Sequence, residues 1–480
     1  MESVLAKKPY NQIILLTTIV GFAVALGYIS CTNVNSLIFS LFLVLAVVLT
    51  RNIPEITLLA LIFINEGLFD IVNTEKVGFV NLLYPANLVL GAVVLTIAVF
   101  FTDVWRDLDS SERKHIFLAE IALLLTLAVV EVINTYLLYG QSIFDGAMSN
   151  RTSVTYLLYF PLVYLMQDEK RMERIIKMII VLGFIVACLN ILQYVLWDKV
   201  SILQIDRLTI RNNDVRFLAG TRFLEFSVFV AMYKFLKNPG SRAYILMLVT
   251  QIIAIIVVGK TRVVIFALIV SFTYIIFKQK NRNYKTFYLT ACLATVLFFV
   301  AYEGDNLITS LIKLTVDEVS SNTGNFGIRV KEALFYLEHI KEHVLLGVGN
   351  INYKYEYLIN ALYAEDKKYY TSDVGIIGFT LNYGFIGLVV LVLLMRKLFI
   401  GIQLIKKFDQ SVYAIEGYLI SSLVMIPTIC IYNQSRPILY ITILMALINK
   451  WYAKYEDSLS KEKTKENGNS SFNSYLQRYS

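Results

Sequence analysis

The chain has 480 residues, 57% of them hydrophobic, and a mean hydropathy of +0.62, values that exclude an ordinary soluble domain and point to one integral helical membrane domain. The net charge of +8 is no nucleic-acid signature, because Lys and Arg collect in the cytoplasmic loops of polytopic proteins for topological reasons.

A spanning helix needs roughly 20 mostly apolar residues, and about fourteen candidate runs can be found, several of them short. They lie near 12–30, 34–50, 54–69, 84–101, 116–138, 153–166, 177–197, 222–236, 243–258, 263–278, 286–302, 373–395, 412–431 and 437–450. Lys7 and Lys8 precede the first run without a small-x-small cleavage site, so it reads as a retained helix rather than a removed signal. With the N-terminus inside, about 27 basic residues fall in inner connections and about 10 in short outer loops, which places both termini in the cytoplasm. The expected domains are a membrane domain over 1–453 and a disordered cytoplasmic tail over 454–480, where Lys, Glu, Ser and Asn leave too little apolar content to fold. Cys31, Cys188, Cys292 and Cys430 are scattered through apolar runs without metal-ligand spacing, so neither disulfides nor a metal site is expected.

The outer loop after the seventh run breaks the usual rule. Short external loops avoid cations, yet this one holds Lys199, Arg207, Arg211 and Arg216, with Arg222 at the next helix start. The planar guanidinium fork binds phosphate oxygens in pairs, so an external arginine cluster suits a lipid-linked pyrophosphate; lipid headgroups are the competing use. Glu225, one turn into that span, needs a partner such as one of these arginines. Arg262 sits in the tight connection Gly259-Lys260-Thr261-Arg262, where charge is costly unless paired and functional use is the default, with snorkelling to headgroups as the alternative. Glu66, Glu120, Glu131, Asn190 and Gln193 fall in apolar spans, where hydrogen bonding between helices is the expected role.

The one long polar interval, 303–372, is expected outside the membrane. Its centre predicts a helix from Ile328 to Leu346, with Asn322, Thr323 and Asn325 as helix-start residues. Ala333, Leu334, Leu337, Ile340, Val344 and Leu345 form an apolar stripe, expected to lie down on the membrane surface. A second stripe of Arg329, Glu332, Tyr336, His339 and His343 would run along one edge, either as a solvated face or as substrate contacts. Asp373 opens the next span, placed either to cap that helix or to take a proton from a sugar hydroxyl.

Four patterns together resemble the Wzy-type O-antigen and capsular polysaccharide polymerases, a group similar in architecture to the O-antigen ligases. They are Arg216-x-x-x-Gly220 followed by Glu225, with Phe226 where proline is usual; the pair Thr261-Arg262; Arg329 with His343-Val-Leu-Leu-Gly347-Val-Gly349; and Ser372-Asp373-Val-Gly375-Ile-Ile-Gly378 with Gly384 and Gly387. The likeness runs over residues 200–450 in order and topology, while the first half offers matching hydropathy alone. Ligases commonly carry a histidine at the loop exit, where Ser372-Asp373 stands here, which favours a polymerase.

The resemblance implies an all-α, GT-C-like fold of 12–14 transmembrane helices with one long extracytoplasmic loop, in the cytoplasmic membrane of a bacterium. It implies inverting glycosyl transfer between undecaprenyl-diphosphate-linked oligosaccharides, without nucleotide sugar, cofactor or obligatory metal. Membrane lipid and a chain-length regulator are candidate partners; nucleic acid is not. Arg216, Arg262 and Arg329 are the expected clamp on the leaving diphosphate, with Arg207, Arg211 and Arg222 as auxiliaries. Asp373 is the first candidate base, His343 and His339 the next. Glu225 is expected to hold an arginine, and Glu332 and Tyr336 to contact the glycan. A ligase and a lipid-linked oligosaccharide flippase are the alternative functions.

Overall fold

The computed structural model describes residues 54–71, 85–109, 115–166, 168–197, 199–200, 202–203, 209–211, 214–216, 219–278, 324–364, 369–430, 432 and 436–456. In chain order the helices are α1 (Pro54–Asn65), α2 (Pro85–Asp109), α3 (Leu118–Tyr139), α4 (Ile143–Ser149), α5 (Tyr159–Leu165), α6 (Glu169–Val195), α7 (Thr221–Lys237), α8 (Arg242–Ile253), α9 (Arg262–Lys278), α10 (Gly324–Glu342), α11 (Glu356–Tyr363), α12 (Gly375–Ile405), α13 (Tyr413–Met425) and α14 (436–456). One departure from the all-helical expectation occurs among these residues: β1 (Thr209–Arg211) pairs antiparallel with β2 (Asp214–Arg216), Arg211 opposite Asp214 and Thr209 opposite Arg216.

Among the described residues, four stretches are long and apolar enough to cross a membrane: α3, α6, α12 and the run Arg242–Gly259, in which α8 continues into a π-helix over Ala254–Gly259. The expected spans at 12–30, 34–50 and 286–302 lie outside the described residues. The expected span at 153–166 is a 3-10 helix, Arg151–Leu158, that runs on into the seven-residue α5. Hydropathy alone does not separate a spanning helix from a short buried one.

α7 and α14 form the centre. Every side chain of α7 from Phe223 to Phe235 is buried, as a helix apolar all round must be. Phe226 stacks on Tyr440 of α14 at 5.3 Å, and Tyr233 meets Trp451 at 5.2 Å. α6, α8 and α13 pack around α7. On the periphery Val129, Leu137, Val181, Phe266 and Val392 are exposed, an apolar surface suited to lipid.

One end of this bundle carries the basic clusters together with their acidic partners. Arg174 pairs with Glu55 at 3.0 Å, Lys406 with Glu416 at 3.3 Å, Lys234 with Glu173, and Lys454 with Glu169. The last of these lies beyond residue 453, the expected end of the membrane domain, because α14 runs on to residue 456.

α12 is broken. Gly384 takes φ 60° and ψ −163°, which frees carbonyls before it and amides after it. The segment after α10 takes up all four: Val348 N and Gly349 N donate to Leu381 O (2.8 Å) and Asn382 O (3.0 Å), while Phe385 N and Ile386 N donate to Val344 O (2.8 Å) and Leu345 O (3.1 Å). Irregular backbone at membrane depth is stable only when protein satisfies it in this way. A Cβ on Gly347 would lie 2.4 Å from Leu381 O, and one on Gly384 would lie 2.4 Å from Leu345 O. The seam therefore requires glycine on both sides, and this is the physical content of the G-x-G and Gly384 positions.

α10 spans Gly324–Glu342 rather than 328–346, and its polar stripe is used differently from expectation. Glu332 is 1% exposed and Tyr336 fully buried, whereas Leu334 is 60% and Leu345 64% exposed. The polar edge packs inward because its groups find partners there. The Tyr336 hydroxyl donates to Tyr363 O at 3.0 Å, and Glu332 accepts from Tyr370 N at 3.2 Å.

Candidate active site

At the end of the bundle opposite the basic clusters, two charged centres form. The first joins α1, α7 and α14. α7 starts at Gly220, whose φ of +63° and approach to the Phe69 ring (a Cβ would lie 2.6 Å from Cδ1) admit no side chain. That turn delivers Arg222, whose Nη1 donates to both Glu225 oxygens at 3.0 and 2.9 Å. Glu66 lies beside them, buried, accepting from the Tyr440 hydroxyl. Arg436 completes the set: its backbone carbonyl accepts from Asn65 Nδ2 at 3.0 Å, its Nη2 lies beside Gly67, and its charge and that of Arg222 both act on Glu66. Two carboxylates thus face two guanidiniums.

The second centre lies where α10 meets the start of α12. Arg329 is half-buried, Glu332 buried, and Asp373 half-buried in the 3-10 turn Thr371–Asp373. Burial raises the Glu332 carboxyl above its usual range; the Tyr370 amide works against that, Asp373 adds to it and Arg329 opposes it. Glu332 Oε2 has no hydrogen-bond partner. Asp373 does not cap α12: the residue before the helix is Val374, and no side chain caps it. The two centres share a connection, because Ile376 N donates to Ile426 O at 2.9 Å in the segment that leads from α13 to Arg436.

The remaining site residues are placed as follows. β2, which carries Arg216, packs against the π-helix that leads to Arg262, and Arg211 stands on the paired strand. Arg207 lies outside the described residues. Arg262 is half-buried at the first position of α9, but the deeply buried cation of its turn is Lys260, whose Nζ donates to the Tyr194 hydroxyl at 3.1 Å. His339 Nε2 lies 3.1 Å from Ala361 O, a contact in which it must act as donor, so this histidine ties α10 to α11. His343 packs edge-on to Tyr139 at 6.5 Å. Tyr336, buried and bonded to Tyr363, builds the loop instead of facing a glycan.

Reading the sequence missed Arg436 as a site residue and assigned Glu66 only a helix-bridging bond, which its contact with Tyr440 does supply. The available signal was the one used for Arg222: a cation at the outer start of a span, here just before Pro437.

Residues 243–392 match the family model described as O-antigen ligase, a stretch from α8 to beyond the break in α12 that includes Arg262, Arg329 and Asp373. Comparison with curated proteins found no match. The family match supports the O-antigen ligase/polymerase superfamily and, with the four apolar helices, points to a multi-pass membrane enzyme of O-antigen-related polysaccharide biosynthesis.

Proposed function

We propose that the chain polymerises undecaprenyl-diphosphate-linked oligosaccharide repeat units by inverting glycosyl transfer at the outer face of the cytoplasmic membrane. The observation that carries this reading is the grouping of Arg329, Glu332 and Asp373 at the junction of α10 and α12, with Asp373 free of any capping duty. In the reaction an acceptor hydroxyl oxygen attacks the anomeric carbon of the donor. Its proton passes to Asp373 as general base, the bond from that carbon to the diphosphate oxygen breaks, and the lipid diphosphate leaves with the electron pair. Prepositioned guanidiniums stabilise the charge gathering on the leaving group more than they stabilise the ground state. Arg216, Arg262 and Arg329 take that role. Arg222 is less suited to it, since Glu225 already neutralises it at 2.9 Å.

A ligase is the second reading, favoured by the description of the matching family model. Supplying purified protein with a lipid-linked repeat unit separates the two. A ladder of products on the same lipid carrier is expected, whereas transfer of the glycan to a different acceptor without a ladder would make the chain a ligase. Asp373→Asn is expected to slow ladder growth by about 10²–10⁴-fold while leaving the protein folded. A ladder growing at the wild-type rate would remove Asp373 as the base.

A further inference from the structure

Below the second centre, at the break in α12, lies a carboxylate that the proposed chemistry does not use. Glu131 of α3 is fully buried, and neither of its oxygens has a hydrogen-bond partner. Its neighbour is the inserted segment: a Cβ on Gly349 would lie 3.1 Å from Glu131 Oε2, and Gly349 N donates to Asn382 O on α12. Asn382, 5% exposed, donates from Nδ2 to Asn350 Oδ1 at 3.0 Å, while its own Oδ1 is a second buried acceptor without a donor.

The surrounding donors are committed elsewhere. Asn134 Nδ2 bonds Gly347 O at 3.2 Å, and Gln141 Nε2 bonds Thr135 Oγ1 and Asn350 O, both at 3.2 Å. Asn350 Nδ2 bonds Asn150 Oδ1 at 2.7 Å and the Tyr383 hydroxyl at 2.9 Å, and the Tyr363 hydroxyl bonds Gly349 O at 2.5 Å. Among the described residues no Lys or Arg pairs with Glu131. A water molecule would supply hydrogens but would leave the charge uncompensated, and an intramembrane carboxylate without a counter-charge marks a functional site by default.

We propose that Glu131, with Asn382 Oδ1, forms a binding site for one monovalent cation, a proton or an alkali-metal ion, at the helix break. Occupancy supplies the missing positive charge and holds the Gly347–Asn350 insert against α12. The hard oxygen donors suit either ion. A cation that binds the folded state alone stabilises it in proportion to its occupancy.

The test is thermal unfolding of the full-length protein in NaCl, KCl or choline chloride at equal ionic strength, repeated over a pH series. Wild-type protein is expected to melt several degrees higher in one alkali salt than in choline if the ion is a metal, or at lower pH in choline if it is a proton. Glu131→Gln brings its own donor and no charge, so it is expected to lose that response. Asn382→Ala is expected to weaken an alkali response about tenfold and to spare a proton response. The other titratable groups facing the site are the phenols of Tyr139, Tyr363 and Tyr383, with His343 beyond Tyr139 and the Asp145–Lys354 pair above; the comparison with Glu131→Gln subtracts them. Identical responses in wild type and Glu131→Gln would overturn the proposal. So would a wild-type protein indifferent to both alkali ions and pH, even if the variant fails to fold.

Discussion

The two charged centres have similar ingredients, and each leaves one buried carboxylate oxygen without a hydrogen-bond partner, but the first is closed by an ion pair between Arg222 and Glu225. Around Arg222, the guanidinium closes on both oxygens of Glu225, and Glu66 has the Tyr440 hydroxyl on one oxygen and the charges of Arg436 and Arg222 nearby, while its Oε2 accepts no hydrogen bond. Around Arg329, Glu332 takes one bond from the Tyr370 amide and keeps its other oxygen without a partner, and Asp373 caps nothing. Charges locked in a bidentate pair hold a core in register, whereas charges not locked in this way retain the capacity to bind and to move protons. The contrast makes the first centre scaffold and the second chemistry, and it can be broken from either side.

The largest effect is expected at the closed centre. Arg222→Ala leaves Glu225 buried without its partner, a loss of about 3–5 kcal/mol. The double variant Arg222→Met, Glu225→Leu removes both charges and is expected to recover most of that stability. Denaturant titration of the two variants measures the difference. If the single and double variants were equally unstable, the pair would not be the source of the effect.

At the open centre the order reverses. Arg329→Ala is expected to cut turnover by about 10²–10³-fold, the cost of one charge-stabilising donor. Its melting temperature is expected to stay close to wild type, because Arg329 is only half-buried and no packed helix depends on it alone. An assay with lipid-linked repeat units, run beside a melting curve, checks both halves. A variant that melts early and turns over normally would exchange the roles of the two centres.

Much of this contrast was hidden from the sequence for identifiable reasons. The apolar runs were legible because a bilayer demands about 20 apolar residues per crossing. The partnership of Arg222 with Glu225 was also legible, since the two stand three residues apart on one helix. Glu66 and Arg436 were not, because 371 residues separate Asn65 from the carbonyl it binds and no local pattern links them. The break at Gly384 was invisible for another reason: its flanks, Phe379–Leu381 and Phe385–Leu388, are as apolar as any span, and its partner backbone lies near residue 347. α10 shows a third kind of limit. Periodicity separated its two stripes correctly, but only tertiary partners decide which stripe packs inward. Here Tyr363 and Tyr370 drew in the polar one.

The smallest expected effect tests whether the open centre is under electrostatic tension at all. Burial raises the Glu332 carboxyl above its ordinary value of 4.5, with Asp373 adding to the rise. The folded state therefore holds that proton to higher pH than the unfolded chain does. Glu332 then contributes most stability below about pH 4.5, and that contribution is lost as pH rises through the folded-state value. Glu332→Gln cannot ionise, so its melting temperature is expected to gain on wild type as pH is raised from 4.5 toward neutrality, and Asp373→Asn is expected to shrink that gain by removing the neighbouring negative charge. Parallel melting curves for wild type and Glu332→Gln across this window would mean that the carboxyl is relaxed and its open oxygen satisfied.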